Sequence, residues 1–210
     1  MTTVALAMLS LLVQMPGMDH DHTHMHMSSH MKMTDLRPAT PDDQKRAAAV
    51  LAQLRPAIEK YKDYHAALAD GFVEFLPNVK QDVYHFTNWR YGFEAAFRFD
   101  PSRPTSLLYK KTSDGFQLVG AMYTAPKFFS EDQLNRRVPL SIARWHEHVN
   151  LCLPPKREAA QADWSKFGPA GSITDAQSCE ANHGRFYPVL FGWMVHVYPF
   201  AQNPSAIWAH

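Results

Sequence analysis

Apolar positions between residues 44 and 68 recur at helical spacing, and they predict the first folded element of the chain. Thr40, followed by a proline and two acidic residues, predicts where this helix begins. A threonine side chain accepts hydrogen bonds from the first unpaired amides, and proline is tolerated at the first helical position. Gly71 predicts its end, because glycine readily adopts the left-handed conformation that closes many helices. Pro56 is expected to kink or split the helix just before it.

After Gly71 the pattern changes to short aromatic and β-branched runs separated by turn residues, which is typical of strands. The predicted strands are residues 72–76, 83–89, 107–112, 116–124, 144–152 and 189–198. Asp114-Gly115 favours a hairpin between the third and fourth of them. No regular alternation of strands and helices indicates a parallel sheet. The predicted fold class is therefore α+β, with an N-terminal helix or kinked helix pair packed on a mostly antiparallel sheet of five or six strands.

The strand at residues 144–152 carries the first candidate chemistry. Side chains alternate between the two faces of a strand, so His146 and His148 share one face, together with Asn150 and Cys152. Two imidazoles two residues apart can reach one metal ion, and imidazole is the commonest metal ligand in proteins. A solvated strand face with two polar residues is the alternative interpretation.

A second strand adds a third imidazole. In residues 189–198, His196 lies on the same face as Met194, and pairing with the 144–152 strand would bring His146, His148 and His196 together. Three histidines with one open position are typical of mononuclear zinc and copper sites. His85 is a candidate fourth ligand, or a donor that orients one of the others. Glu147 faces the other way and is not expected to act as a base.

The N-terminus has a different composition. Residues 4–13 form an apolar run that is too short to cross a bilayer but has the length of a signal-peptide core. No lysine or arginine precedes it and no clear cleavage site follows, so an apolar segment of a cytosolic protein is the alternative. We predict residues 1–14 as a signal peptide or apolar segment, residues 15–39 as a disordered tail, and residues 40–210 as a single α+β domain. This division predicts a periplasmic or secreted protein without stable membrane insertion after processing.

The predicted tail is rich in two metal-ligating residue types. Residues 15–33 contain five of the twelve histidines and six of the ten methionines. Thioethers are soft ligands that select Cu(I), whereas imidazole accepts several metals, so the mixture favours copper, with zinc as the alternative. The composition resembles that of the Met/His-rich segments of bacterial periplasmic copper-handling proteins. The candidate tail ligands are His20, His22, His24, Met25, His26, Met27, His30 and Met31.

Charge and cysteine content narrow the functional classes. A net charge of +1 offers no general attraction for nucleic acid. The chain has no phosphate-binding glycine loop, nucleophile elbow or dinucleotide fingerprint, which argues against nucleotide chemistry and serine hydrolysis. Cys152 and Cys179 border a polar stretch, residues 156–186, and an exported protein most simply joins two such cysteines in a disulfide. The alternative is a metal site formed by both cysteines and His183.

From about residue 61 onward, the chain resembles a family of uncharacterised secreted bacterial proteins. The matching segments are Asp70-Gly71-Phe72, Tyr84-His85-Phe86-x-Asn88, Pro104-x-x-Leu107-Leu108-Tyr109, Leu118-Val119-Gly120-x-x-Tyr123, His196-Val197-Tyr198 and Asn203-Pro204. The resemblance singles out His85 and His196, and it implies secretion and a compact α+β domain. It brings no established activity.

Three functional hypotheses follow from the sequence. The first is an exported copper-binding protein that acts in sequestration, delivery or resistance, with the metal ion as its partner. The second is a metal-dependent enzyme that uses the open position of the three-histidine site. The third is a secreted structural module, which predicts that the histidines are scattered through the fold.

Overall fold

The structure, a computed structural model, describes residues 29–77 and 79–209. Its strands are β1 (Met31–Met33), β2 (Val73–Glu74), β3 (Tyr84–Thr87), β4 (Ser106–Thr112), β5 (Gly115–Ala125), β6 (His146–Leu153) and β7 (Arg185–Val197). Its α-helices are α1 (Pro41–Ile58), α2 (Tyr64–Ala69), α3 (Trp89–Ala95), α4 (Glu131–Arg137) and α5 (Ala176–Ala181). The fold class is α+β, as predicted.

All described strands join in one open antiparallel sheet with the order β1-β6-β7-β5-β4-β3-β2. The described sheet has seven strands, so the prediction of five or six is corrected. The two edge strands are the shortest, with three residues in β1 and two in β2. An edge strand of this length has too few residues to show an alternating pattern in the sequence.

Local sequence signals correctly predicted several boundaries. Thr40 caps α1 in a capping box with Asp43. The segment Ser130-Glu131-Asp132-Gln133 predicts a capping box in the same way, and Ser130 caps α4 with Gln133 as its partner. The β4–β5 hairpin turns just before Gly115. Its φ is +131°, a backbone angle that glycine adopts without steric strain.

The helical segment divides into two helices, but not just before Pro56 as predicted. Helix α1 continues through Pro56 to Ile58, and a 3₁₀ turn, Glu59–Lys62, then leads to Asp63, which caps α2. This interruption changes the phase of the apolar stripe. The helical spacing of the sequence predicts His65 on or beside the apolar stripe. His65 is instead exposed and bonded to Asp63, with 3.0 Å between His65 Nδ1 and Asp63 Oδ1.

The two faces of the sheet have different surroundings. The larger core contains Leu54 and Ile58 of α1 packed with side chains such as Phe86, Tyr109 and Trp193. On the opposite face, a smaller cluster of Leu108, Met122 and Met194 is packed with Val83, Val119 and Tyr198. Residues 194, 196 and 198 therefore point away from the larger core, whereas residues 193, 195 and 197 point into it. This agrees with the predicted alternation of β7.

The disulfide between Cys152 and Cys179 is present, with a Cα–Cα distance of 5.5 Å, and it confirms the prediction. It pins α5 and the preceding loop to β6, in a small buried cluster with Phe167 and Ile173. Because each sulfur is bonded to the other, the alternative cysteine metal site with His183 is excluded. Within the described ranges, no helix is long and apolar enough to cross a membrane.

Candidate functional site

Four histidines on the face opposite the larger core are connected by ring contacts. The centroid distances are 5.6 Å for His146–His148, 5.0 Å for His146–His196 and 5.5 Å for His85–His196. At the last contact, His85 Nε2 lies 3.4 Å from His196 Nε2. We call this group the histidine cluster. It contains all three histidines predicted as ligands and the predicted fourth.

Strand pairing places these residues on one face. Met194 lies directly opposite His146 in the β6–β7 register, and His196 is two positions further along β7. The diagonal neighbours His146 and His196 are therefore within ring contact. The pairing of these strands is irregular next to His146. The register of β6 with β7 shifts between His146 and His148, and Phe191 of β7 has a φ of +67°.

His85 reaches the cluster from a more distant strand. β4 and β5 separate β3 from β7, and three strand spacings of about 4.8 Å place flat backbones roughly 14 Å apart. The 3.4 Å approach of His85 and His196 therefore requires the sheet to curve toward this face. The register shift between Leu108 and Tyr109 in β4 supplies such a bend, because irregular pairing increases local twist and curvature.

The spacing of the rings can be compared with that of metal ligands. Two nitrogens bound tetrahedrally at 2.0–2.1 Å lie roughly 3.3 Å apart, and their ring centroids lie roughly 5 Å apart. The His85–His196 pair matches both values. The same spacing also lets one ring donate a hydrogen bond to the other when no metal is bound.

The histidine cluster is not arranged as a finished metal site. Across residues 29–77 and 79–209, no group of three or more His, Cys, Asp or Glu side chains is arranged so as to hold a metal ion.

Burial controls the protonation of His85. Removal from water, and then the charge of the nearby His148, lower the pKa of His85 to about 4, against a hydrogen bond with the Val83 backbone that raises it. The His85 ring is therefore neutral at pH 7. A neutral imidazole keeps the lone pair that a metal ion requires.

Glu147 belongs to the other side of β6, as predicted. Its carboxylate lies 3.8 Å from the ammonium of Lys32, which also sits 5.0 Å over the ring of Trp193. Burial raises the pKa of Glu147 above its usual range, against the attraction of Lys32 and Lys127. Glu147 therefore has no part in the histidine cluster.

The tail prediction needs one correction. Residues 31–33 form β1, paired with β6, so the folded domain begins before residue 40. His30, predicted as a tail ligand, is buried in the domain. Its ring nitrogens lie 3.0 Å from the carbonyl oxygen of Asn150 and 2.7 Å from that of Gly171. Backbone pairing with β6, which depends on tertiary structure, overrides the polar composition of this segment.

The other tail ligands lie outside the described residues, and they remain predictions. They are His20, His22, His24, Met25, His26 and Met27. Met31 is described, and it lies in β1 directly opposite His148.

Sequence reasoning missed two residues that shape the cluster. Tyr198 stands beside His196, with 6.4 Å between ring centroids. At Gly120 a Cβ would clash first with the backbone carbonyl of Val197, and it would come within 2.9 Å of the Tyr198 side chain. Only glycine leaves room for this close approach of β5 and β7. The segment Leu118-Val119-Gly120 contributes to the resemblance, but the reason for its glycine depends on the tertiary structure.

Comparison with protein-family models, with curated proteins and with solved structures found no match. The resemblance to uncharacterised secreted bacterial proteins therefore stays a prediction.

Proposed function

We propose that this protein is an exported metal-binding protein that holds copper at the histidine cluster, in sequestration, delivery or resistance. The observation that carries the proposal is the gathering of four of the described histidines on one sheet face, with 3.4 Å between His85 Nε2 and His196 Nε2. A structural module would have no need to collect imidazoles from three separate strands. Binding then requires His146 or His148 to complete the ligand set that the His85–His196 pair begins.

Two further features support the proposal. A disulfide is typical of oxidising compartments, and Cys152–Cys179 therefore favours export. The Met/His-rich segment before residue 29 has the ligand types that favour copper over zinc. In this proposal the segment collects ions and the folded domain holds one of them.

The experiment separates the two kinds of binding. A full-length tail variant, with His20, His22, His24 and His26 replaced by asparagine, should retain one tightly bound copper ion. Adding His85→Ala and His196→Ala should remove that ion, because it loses half of its imidazole ligands. Metal content after dialysis and affinity from competition with a chelator are the two measurements.

A matched control is available within the same chain. His65→Ala removes an exposed histidine that is bonded to Asp63 and has no contact with the cluster, so copper binding should not change. Retention of the tightly bound ion after the two cluster substitutions would refute the site. Absence of any tightly bound ion in the tail variant would limit metal binding to the tail.

A further inference from the structure

Every methionine of the described part lies on the same sheet face as the histidine cluster. The sheet register pairs Met31 with His148, Met33 with His146, Met122 with His196, and Met194 with His146. Residues directly opposite each other in an antiparallel pair point to the same face, with Cβ atoms about 4.5–5.5 Å apart. Each of these thioethers therefore stands next to an imidazole of the cluster.

His146 is enclosed on both sides. Met33 of β1 and Met194 of β7 are its two partners in one row across the sheet. His146 is also the ring that contacts both His148 and His196. An ion bound at His146 would thus have a thioether on each flank.

The methionines are distributed unevenly between the two faces of the sheet. Methionine is a flexible side chain that fills gaps in hydrophobic cores. In the described residues the larger core, between α1 and the sheet, contains no methionine. Met122 and Met194 belong instead to the small cluster around Leu108, and Met31 and Met33 are half-buried on the edge strand. The described methionines therefore lie on the sheet face of the histidines and not in the larger core.

We propose that the folded site binds cuprous copper, with the sulfurs of Met33 and Met194 joining imidazoles of the histidine cluster, His146 among them, as ligands. This inference rests on the proposed function, which names copper, and adds an oxidation state and two thioether ligands. Thioethers are uncharged, soft donors that suit Cu(I) and are poor ligands for Zn(II). Because β1 directly continues the Met/His-rich segment, the strand that supplies Met33 also connects the tail to the site.

The test compares two metals in one pair of proteins. The tail variant, with Met25→Leu and Met27→Leu added, is titrated anaerobically with Cu(I) against a chromogenic chelator, and separately with Zn(II). Met33→Leu and Met194→Leu are then introduced together. Leucine keeps the volume and removes the sulfur, so Cu(I) affinity should fall by more than roughly 100-fold, because loss of a group that only supports a ligand already costs about 10–100-fold. Zn(II) affinity should change less than threefold.

X-ray absorption on the Cu(I)-loaded tail variant keeps the inference falsifiable even if the double variant fails to fold. Sulfur at bonding distance from copper is expected, and a copper shell of nitrogen alone would overturn the inference. Equal losses of Cu(I) and Zn(II), or no loss of either, would also overturn it while leaving the histidine site intact. If the tail variant bound neither metal, the proposed function itself would fail.

Discussion

Replacing both Cys152 and Cys179 with alanine should destabilise the fold and leave the histidine cluster in place. The disulfide spans a sequence separation of 27 and closes the loop that carries α5. Both sulfurs are fully buried, in a cluster with Phe167 and Ile173 that is separate from the larger core. The cross-link therefore stabilises one local unit.

The magnitude follows from the loop that the bond closes. Cross-linking a loop of 27 residues restricts the unfolded chain by about 3.5 kcal/mol in the chain-entropy description. For a protein of this size, 1 kcal/mol shifts the melting temperature by about 2–4 °C, so we expect a decrease of roughly 10 °C.

The metal site should be little affected by the same change. Cys152 is six positions beyond His146 on β6, which is about 20 Å at the rise of an extended strand.

Urea unfolding followed by tryptophan fluorescence measures the effect. The matched control is the wild-type protein unfolded with and without a reducing agent. The reducing agent breaks the disulfide without replacing either cysteine. The reduced wild type and the double alanine variant should lose similar free energies of unfolding. A loss below about 1 kcal/mol in both would refute the chain-entropy argument. Loss of copper binding in the variant would refute the separation of the disulfide from the site.

Three further predictions concern stability. Gly184→Ala should lower the melting temperature, because a Cβ there would come within 2.9 Å of the Cys179 sulfur and closer still to the Cys152 sulfur. An unchanged melting curve would contradict this packing. Tyr109→Phe should cost about 1–3 kcal/mol in urea unfolding, since the hydroxyl donates to the buried carbonyl of Tyr61 at 2.7 Å, and the prediction fails if the two proteins unfold alike. The pKa of Asp43 is lowered to about 2, mainly by its hydrogen bond with Arg46 and then by that with Thr40. Its folded-state pKa is depressed, so its contribution to stability is present above pH 4 and is lost as the pH falls through about 2. Asp43→Asn should therefore flatten acid unfolding between pH 4 and pH 2, and an acid transition as steep as that of the wild type would rule out this role.

Local signals in the sequence determined the elements that depend on near neighbours. The caps at Thr40 and Ser130 and the Asp114-Gly115 turn were all readable, because each satisfies backbone groups within a few residues. The alternation of β7 correctly placed Met194 and His196 on one face. The pairing of Cys152 with Cys179 followed from there being only two cysteines in the chain.

Long-range pairing decided the rest. No periodicity marks a three-residue edge strand, so β1 and the commitment of His30 to the domain were invisible before the sheet was assembled. The 3₁₀ turn likewise comes after Ile58 and not before Pro56, where the sequence predicts the interruption.

The candidate site shows the same division. The sequence by itself supplied the histidines and a plausible strand for each. The tertiary structure brought His85 across β4 and β5 to His196, and it placed Met33 and Met194 on either side of His146. The physical reason is that register and sheet curvature arise from packing between distant strands. Neither is encoded in the spacing of residues along any one strand.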